Sequence, residues 1–177
     1  YILQVVDELH ATHQGQGVLV LSGEAADQHE WVSKLPPGSE FLDVYNAFPT
    51  LSEVQRDALV IRGLLAVAQR GARLHVKAGL FAARFMEAYG AVLSSVFQVI
   101  YYRFCDDVKT WRGMQFPSAV GVNFLRREFA HIDVIVNDCR TISEVDERAI
   151  GGNEKKCHTI YSLCDARKLS TVPQVAT

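Results

Sequence analysis

Residues 131–143, HIDVIVNDCRTIS, constrain the fold most, because this stretch changes abruptly from the pattern of a buried strand to that of a helix. Ile132, Val134 and Val136 are β-branched apolar residues in a short run, which is typical of a strand covered by neighbouring layers. Asn137 and Asp138 then introduce turn chemistry and stop the run. The stretch therefore predicts a strand followed at once by a polar turn and a helix.

The helix is predicted to begin near Thr141, whose hydroxyl and the carboxylate of Glu144 have the spacing of a capping box. Its apolar residues fall on one face, and Gly151 with Gly152 supplies a C-terminal stop. A second apolar run follows at 158–162. Strand, helix, glycine and strand in this order make one βαβ unit, which predicts parallel strands.

The same alternation continues through the rest of the chain. Apolar runs predict strands near residues 18, 41, 74, 97, 133 and 158, and one-sided stripes predict helices over 1–13, 25–35, 50–70, 80–89 and 117–130. Residues 106–116 break the pattern and read as a polar segment, with Pro117 in the first turn of the next helix. The fold class predicted is α/β, a doubly wound, mostly parallel sheet with helices on both faces.

Composition limits the classes of partner. The 177 residues suit one domain, and a net charge of −2 with scattered basic residues gives no support for nucleic-acid binding. The four cysteines and six histidines form no cluster with metal-ligand spacing, so no metal is expected. The cysteine usage, with no secretory leader and no long apolar run, predicts a cytoplasmic protein. A chain that starts at Tyr1 and ends in a polar tail is expected to be a piece of a longer one.

Candidate binding residues end the predicted strands. Right-handed crossovers place the turns after parallel strands along one rim, where ligands of such sheets bind. Lys77 and Arg103 could bind an anion there, Asp106 could accept hydrogen bonds from hydroxyls, and Asn137 precedes a helix N-terminus. The four residues are predicted to line one acceptor-binding cleft.

Each candidate also has a structural interpretation. Lys77 could be a solvated lysine at a turn, and Arg103 could pair with Asp106 to hold the following loop. Asn137 and Asp138 could cap the helix that they precede, and capping is the favoured interpretation for them. Two further carboxylates at strand ends are weaker candidates, Glu24 and Asp43.

Several segments, taken in order, carry a resemblance to a known family. The series QGQGVLVLSG, LHVKAGLFAARFMEAYG, FQVIYYRFCDD, HIDVIVNDCRTISEV and KKCHTIYSLCD resembles the amino-terminal Rossmann-like domain of GT-B glycosyltransferases, especially the retaining GT4 type. Three stretches depart from the family pattern, one of them Ser162-Leu163-Cys164 in place of Asn-Gly-Val. Arg103 begins the segment where the family often has histidine, and Asn137 replaces the usual serine.

The resemblance implies a function for the chain as a whole. Residues 1–177 would form a single Rossmann-like, acceptor-side domain of a retaining, sugar-nucleotide-dependent glycosyltransferase, without the family's first strand and its carboxyl-terminal donor-binding domain. The domain would bind no cofactor itself, because the missing domain holds the nucleotide-sugar donor. A carbohydrate or lipid-linked acceptor and peripheral membrane association of the whole enzyme are implied, the catalytic residues stay unassigned, and the fragment is expected to be inactive.

Two other functions stay open at the level of sequence. A non-enzymatic α/β ligand-binding or regulatory module could use the same rim, because doubly wound sheets serve many functions. A nucleotide-dependent enzyme of Rossmann type is the weakest alternative, since neither GxGxxG nor GxxxxGK[ST] occurs.

Overall fold

Strands and helices alternate along the chain in the computed structural model, which describes residues 2–12, 18–23, 29–69, 71–104, 108–117, 119–152 and 156–160. The strands are β1 (Val18–Ser22), β2 (Ser39–Asp43), β3 (Arg73–Lys77), β4 (Gln98–Arg103), β5 (Val108–Trp111), β6 (Met114–Pro117), β7 (Val134–Asn137) and β8 (Cys157–Thr159). The α-helices are α1 (Ile2–Thr12), α2 (Val44–Ala47), α3 (Glu53–Val67), α4 (Leu80–Val96), α5 (Val120–Glu128) and α6 (Arg140–Ala149), with short 3₁₀ turns at Glu30–Lys34 and Phe129–His131. The predicted α/β class is confirmed.

The strands form two parallel sheets and one antiparallel hairpin within the described ranges. A four-stranded sheet has the order β3-β4-β7-β8, and each neighbouring pair in it is parallel. β1 and β2 pair in a separate parallel sheet, and β5 pairs with β6 antiparallel. The mostly parallel arrangement is as predicted, but the parallel strands lie in two sheets rather than in one.

Helices α4, α5 and α6 lie on one face of the four-stranded sheet, which we call the helix face. The strand order advances in one direction, so right-handed crossovers bring all three connections to the same side. α5 contacts both α4 and α6, and Tyr101 of β4 stacks on Phe124 of α5 with the ring centroids 5.1 Å apart. Because side chains alternate along a strand, Val99, Tyr101 and Arg103 of β4 all point to the helix face.

One hydrophobic core joins both sheets. Leu93 of α4, Leu125 of α5 and Ile135 of β7 are each 0% exposed at its centre. Leu21 of β1 and Leu42 of β2 pack against the same cluster. Burial of aliphatic side chains at this density supplies most of the folding free energy, at roughly 1.5–3 kcal/mol for each large residue.

Helix α4 continues to Val96 and passes through Gly90, whereas the sequence predicted its end at residue 89. A Cβ on Gly90 would lie 3.2 Å from the ring of His131 and 3.3 Å from the carboxylate of Glu128. This glycine therefore permits close packing of α4 on the end of α5 and does not terminate the helix.

A capping box is present at the start of α3, where none was predicted, and absent from the start of α6, where one was predicted. α3 has a complete capping box, in which the Ser52 amide donates to Gln55 Oε1 at 2.9 Å and the Gln55 amide donates to Ser52 Oγ at 3.3 Å. The capping box predicted at Thr141 is wrong, because α6 begins at Arg140 and its N-cap, Cys139, makes no side-chain cap bond.

The segment 106–116, interpreted from sequence as a polar segment, overlaps the β5–β6 hairpin, which spans residues 108–117. Its two-residue turn has positive φ at both Arg112 (49°) and Gly113 (76°), which is the backbone of a type I′ turn. Pro117 is the last residue of β6, so its predicted place in the first turn of a helix is also wrong. α5 starts at Val120 instead.

Candidate functional site

The carboxyl ends of the two parallel sheets meet. Gly23 follows β1, and Phe81 lies in the first turn of α4, shortly after β3 ends. A Cβ on Gly23 would lie 2.3 Å from the Phe81 ring, a distance that real side chains do not show. Glycine therefore allows the end of β1 to approach the start of α4. We call the strand ends that converge here the carboxyl edge: Ser22, Asp43, Lys77, Arg103 and Asn137.

Lys77 lies at this edge on the face opposite the helix face. It pairs in register with Tyr102, so both side chains point away from α4 and α5. His75, two residues earlier, is hydrogen bonded through Nδ1 to the Tyr102 hydroxyl at 2.8 Å, and the two rings stack with centroids 5.7 Å apart. Lys77 itself is exposed. An imidazole, a phenol and an ammonium group are thus brought together at the ends of β3 and β4.

Arg103 points the other way and is only 2% exposed. Its guanidinium forms an ion pair with Asp146 of α6, which is 0% exposed. A Cβ on Gly121 of α5 would lie 2.8 Å from Arg103 Nε, so this glycine makes room for the buried guanidinium. Lys77 and Arg103 therefore lie on opposite faces of the sheet and do not share one cleft.

Asn137 joins Arg103 through the same carboxylate. Its Nδ2 donates to Asp146 Oδ2 at 2.8 Å and to the Arg103 carbonyl at 3.4 Å. The capping duty predicted for Asn137 and Asp138 is wrong, since Cys139 occupies the N-cap of α6. Asn137 Oδ1 and Asp138 Oδ1 are buried acceptors that make no hydrogen bond.

Two of the predicted site residues, Asp106 and Glu24, lie outside the described residues. The structure therefore does not test whether Arg103 pairs with Asp106. Among the described residues, Arg103 has Asp146 as its carboxylate partner. The acceptor-binding role of the four predicted residues stays a prediction. Of the three that the structure describes, Arg103 and Asn137 lie together and Lys77 lies apart from them.

A histidine–aspartate pair at the end of β2 was not predicted from the sequence. His29 Nε2 lies 2.9 Å from Asp43 Oδ2, and Asp43 also accepts from the amide of Asn46 at 3.0 Å and from its Nδ2 at 2.7 Å. The His29 ring meets Trp31 and Phe41 edge-on, with centroids 5.7 and 5.2 Å away. Only Asp43 was noted in the sequence, because nothing local links it to a histidine 14 positions earlier.

The hydrogen bonds around Asp43 favour its charged form. Partial burial acts to raise the pKa of this carboxyl, but the bonds from Asn46 and the interaction with His29 lower it on balance below its usual value. A carboxylate that stays ionised and binds one ring nitrogen fixes the orientation of the imidazole. The pair can therefore accept hydrogen bonds from a ligand at the carboxyl edge.

The chemistry of Cys157 is different. Burial, together with the negative charges of Asp146 and Glu147, raises the pKa of its thiol to about 11, so it stays protonated and unreactive at neutral pH. Cys139, less buried, is also a free thiol.

In the part of the chain that the structure describes, no group of histidine, cysteine or carboxylate side chains could hold a metal ion. No described helix combines the length and the apolar character needed to cross a membrane.

A scan against protein-family models and searches among curated proteins and solved structures found no match for this chain.

Proposed function

We propose that this chain is the acceptor-side domain of a sugar-nucleotide-dependent glycosyltransferase and that the acceptor binds at the carboxyl edge. The convergence of polar side chains where the two parallel sheets meet carries the proposal. Gly23 and Phe81 bring the end of β1 beside the start of α4. Asp43 is the last residue of β2 and is hydrogen bonded to His29, and Lys77 is the last residue of β3. Ligands of parallel α/β sheets bind beyond the carboxyl ends of the strands.

The groups at this edge suit a hydroxylated ligand. The Asp43 carboxylate and the two imidazoles can accept hydrogen bonds from sugar hydroxyls, and Tyr102 adds a hydroxyl of its own. Lys77 lies close to the N-terminus of α4, a 17-residue helix whose first turn has no acidic residue and whose cap, Gly79, makes no side-chain bond. A lysine beside an uncapped helix N-terminus favours a phosphate group.

The remaining parts of the proposal come from the resemblance in sequence. A second domain would hold the nucleotide-sugar donor, and the reaction would proceed with retention at the anomeric carbon. The acceptor would be a carbohydrate or a lipid-linked sugar. Cysteine usage favours the cytoplasm as the compartment.

Ligand binding to the chain itself tests the site. Saturation-transfer NMR with a panel of monosaccharides and sugar phosphates should detect binding, and Lys77→Ala should weaken the binding of sugar phosphates by roughly 1–3 kcal/mol, the cost of losing a charged hydrogen bond. Arg73→Ala is the matched control, because Arg73 is an exposed cation at the amino end of the same strand. Equal losses in the two variants would reject the carboxyl edge as the site.

Transfer activity tests the enzyme class. The protein encoded by the complete natural gene should transfer sugar from a nucleotide-sugar donor, and the chain of 177 residues should form no product above a blank without protein. Binding of sugars without transfer by the complete protein would favour a ligand-binding module over a transferase.

A further inference from the structure

An apolar groove lies between the β1–β2 sheet and helix α3. Its volume is about 260 Å³, and it opens to solvent, since Leu19 and Leu59 in its walls are 44% and 40% exposed. The strands contribute Leu19, Leu21 and Leu42, and α3 contributes Leu59, Gly63 and Leu64. Well-packed interiors leave few spaces of this size, and apolar cavities of about 150 Å³ already bind small hydrophobic molecules.

Gly63 in this groove has no role in packing within the described chain. It lies in the interior of α3 (Glu53–Val67), where glycine destabilises a helix relative to alanine. A Cβ built on Gly63 would meet nothing within 4 Å, so no neighbouring group requires the missing side chain. The glycine does keep the groove open, because any larger residue would project into it. The position is therefore suited to a ligand and not to the stability of the helix.

The side chains that line the groove determine which class of ligand can bind in it. All the lining side chains are apolar. A sugar, a nucleotide or a peptide backbone would bring polar groups that these walls leave without hydrogen bonds, at a cost in binding free energy. An aliphatic chain has no such groups and gains from burial of each methylene.

The charged residues at the rim of the groove favour an anionic group at the end of a bound aliphatic chain. Arg62 is exposed, precedes Gly63 and lies three residues after Leu59, so it borders the open side of the groove on α3. Among described residues, no ion-pair partner occupies Arg62. Glu40 pairs in register with Leu19 and borders the strand wall, so an anionic head group belongs on the helix side.

We propose that this groove binds the aliphatic chain of an anionic amphiphile, such as a fatty-acid carboxylate, with Arg62 as the partner of the head group. The site is separate from the carboxyl edge and does not depend on the function proposed for that edge. Leu21 and Leu42 point to the groove, whereas their strand neighbours Ser22 and Asp43 point to the other face of the β1–β2 sheet.

Methyl NMR of the chain, titrated with dodecanoate and separately with dodecanol, tests the proposal. Both probes should shift the methyl signals of the groove leucines. Gly63→Leu fills the groove and should weaken binding of both probes by about tenfold or more, the change expected when two or so methylene groups lose their contacts. Leucine is a better helix former than glycine, so this variant should stay folded, and an undiminished thermal unfolding midpoint checks that a loss of binding does not come from unfolding.

Two further variants complete the test. Arg62→Ala should weaken the binding of dodecanoate and leave that of dodecanol unchanged, which separates the head group from the chain. Ala91→Leu, on the exposed surface of α4, adds the same side chain elsewhere and should leave both affinities as they are. Undiminished binding in Gly63→Leu would overturn the proposal. So would a dimer in the parent chain that Gly63→Leu converts to a monomer without any binding of the probes, because the groove would then join two copies.

Discussion

At the scale of single residues, the network of Arg103, Asp146 and Asn137 shows how a residue at the end of a strand can serve the fold instead of a ligand. Asp146 receives both the guanidinium of Arg103 and the amide of Asn137 without exposure to solvent. Such a buried pair gains little net stability over apolar residues of the same volume, but removing one partner leaves an isolated charge. The network therefore fixes α6 against the ends of β4 and β7.

Asp146→Asn should lower the free energy of unfolding by about 3 kcal/mol, because it leaves the buried Arg103 charge without its counter-ion. Glu144→Gln is the matched control on the same helix. It removes an exposed i, i+4 pair with Arg140, and the expected cost is about 0.5 kcal/mol or less. Urea denaturation of both variants measures the difference, and equal midpoints would contradict the structural role of the network.

Asp43 should make stability depend on pH in the acid range. Its pKa in the folded chain is lowered below 3.8, so the stabilisation is complete above the pKa of the unfolded state and is lost as pH falls through the folded value. Asp43→Asn should therefore be less stable than the parent at pH 7 by a few tenths to about 1 kcal/mol, and this difference should shrink towards pH 3. Urea unfolding at several pH values measures it. A difference that grows on acidification would contradict the assignment, and Glu40→Gln, an exposed change on the same strand, is the control.

At the scale of elements, periodicity predicts most of this fold. Each apolar run that predicted a strand corresponds to one, because bare runs such as VLVLS and VIVN have no alternative as amphipathic helices. The β5–β6 hairpin was not predicted, because only Gly113 in its Arg112-Gly113 turn is a residue typical of type I′ turns. The predicted cap of α6 is wrong because the spacing of Thr141 and Glu144 fits a capping box wherever the helix begins, and the backbone turns into the helix two residues earlier, at Cys139.

Two glycines with open surroundings should respond in opposite directions to alanine. Gly63→Ala should stabilise the chain by about 0.5–1 kcal/mol, because alanine loses less conformational entropy in a helix interior. Gly113→Ala should destabilise it by about 1–2 kcal/mol, because φ is 76° there and a Cβ strains the left-handed conformation although nothing lies within 4 Å. Thermal unfolding of both variants measures the signs. Stabilisation by Gly113→Ala would show that the turn is not of type I′.

At the scale of the whole molecule, the sequence predicts the class of fold but not how the site is divided between faces. Parallel strands follow from the βαβ pattern, and the rim of strand ends follows from the handedness of the crossovers. The face on which each end residue lies depends on register, which local sequence does not contain. Lys77 pairs with Tyr102 and not with Arg103, and this difference of one residue in register puts the side chains of Lys77 and Arg103 on opposite faces of the sheet. The partnership of His29 with Asp43 likewise depends on how a distant loop returns to β2.

The approach of the two sheets at Gly23 gives a prediction for the molecule as a whole. Gly23→Ala should cost about 1–3 kcal/mol of folding free energy, because its Cβ would lie 2.3 Å from the Phe81 ring and the atoms in the way include the ring carbon nearest the backbone. Phe81→Ala removes the obstacle but also loses buried ring surface. In that background Gly23→Ala should cost much less, so a double-mutant cycle measured by urea denaturation should give a coupling energy of about 1 kcal/mol or more. Additive costs would mean that the end of β1 does not lie against the start of α4, and the carboxyl edge would then be two separate strand ends. A coupling of the expected size, together with weaker binding of sugar phosphates in Gly23→Ala, would tie the contact between the sheets directly to the site.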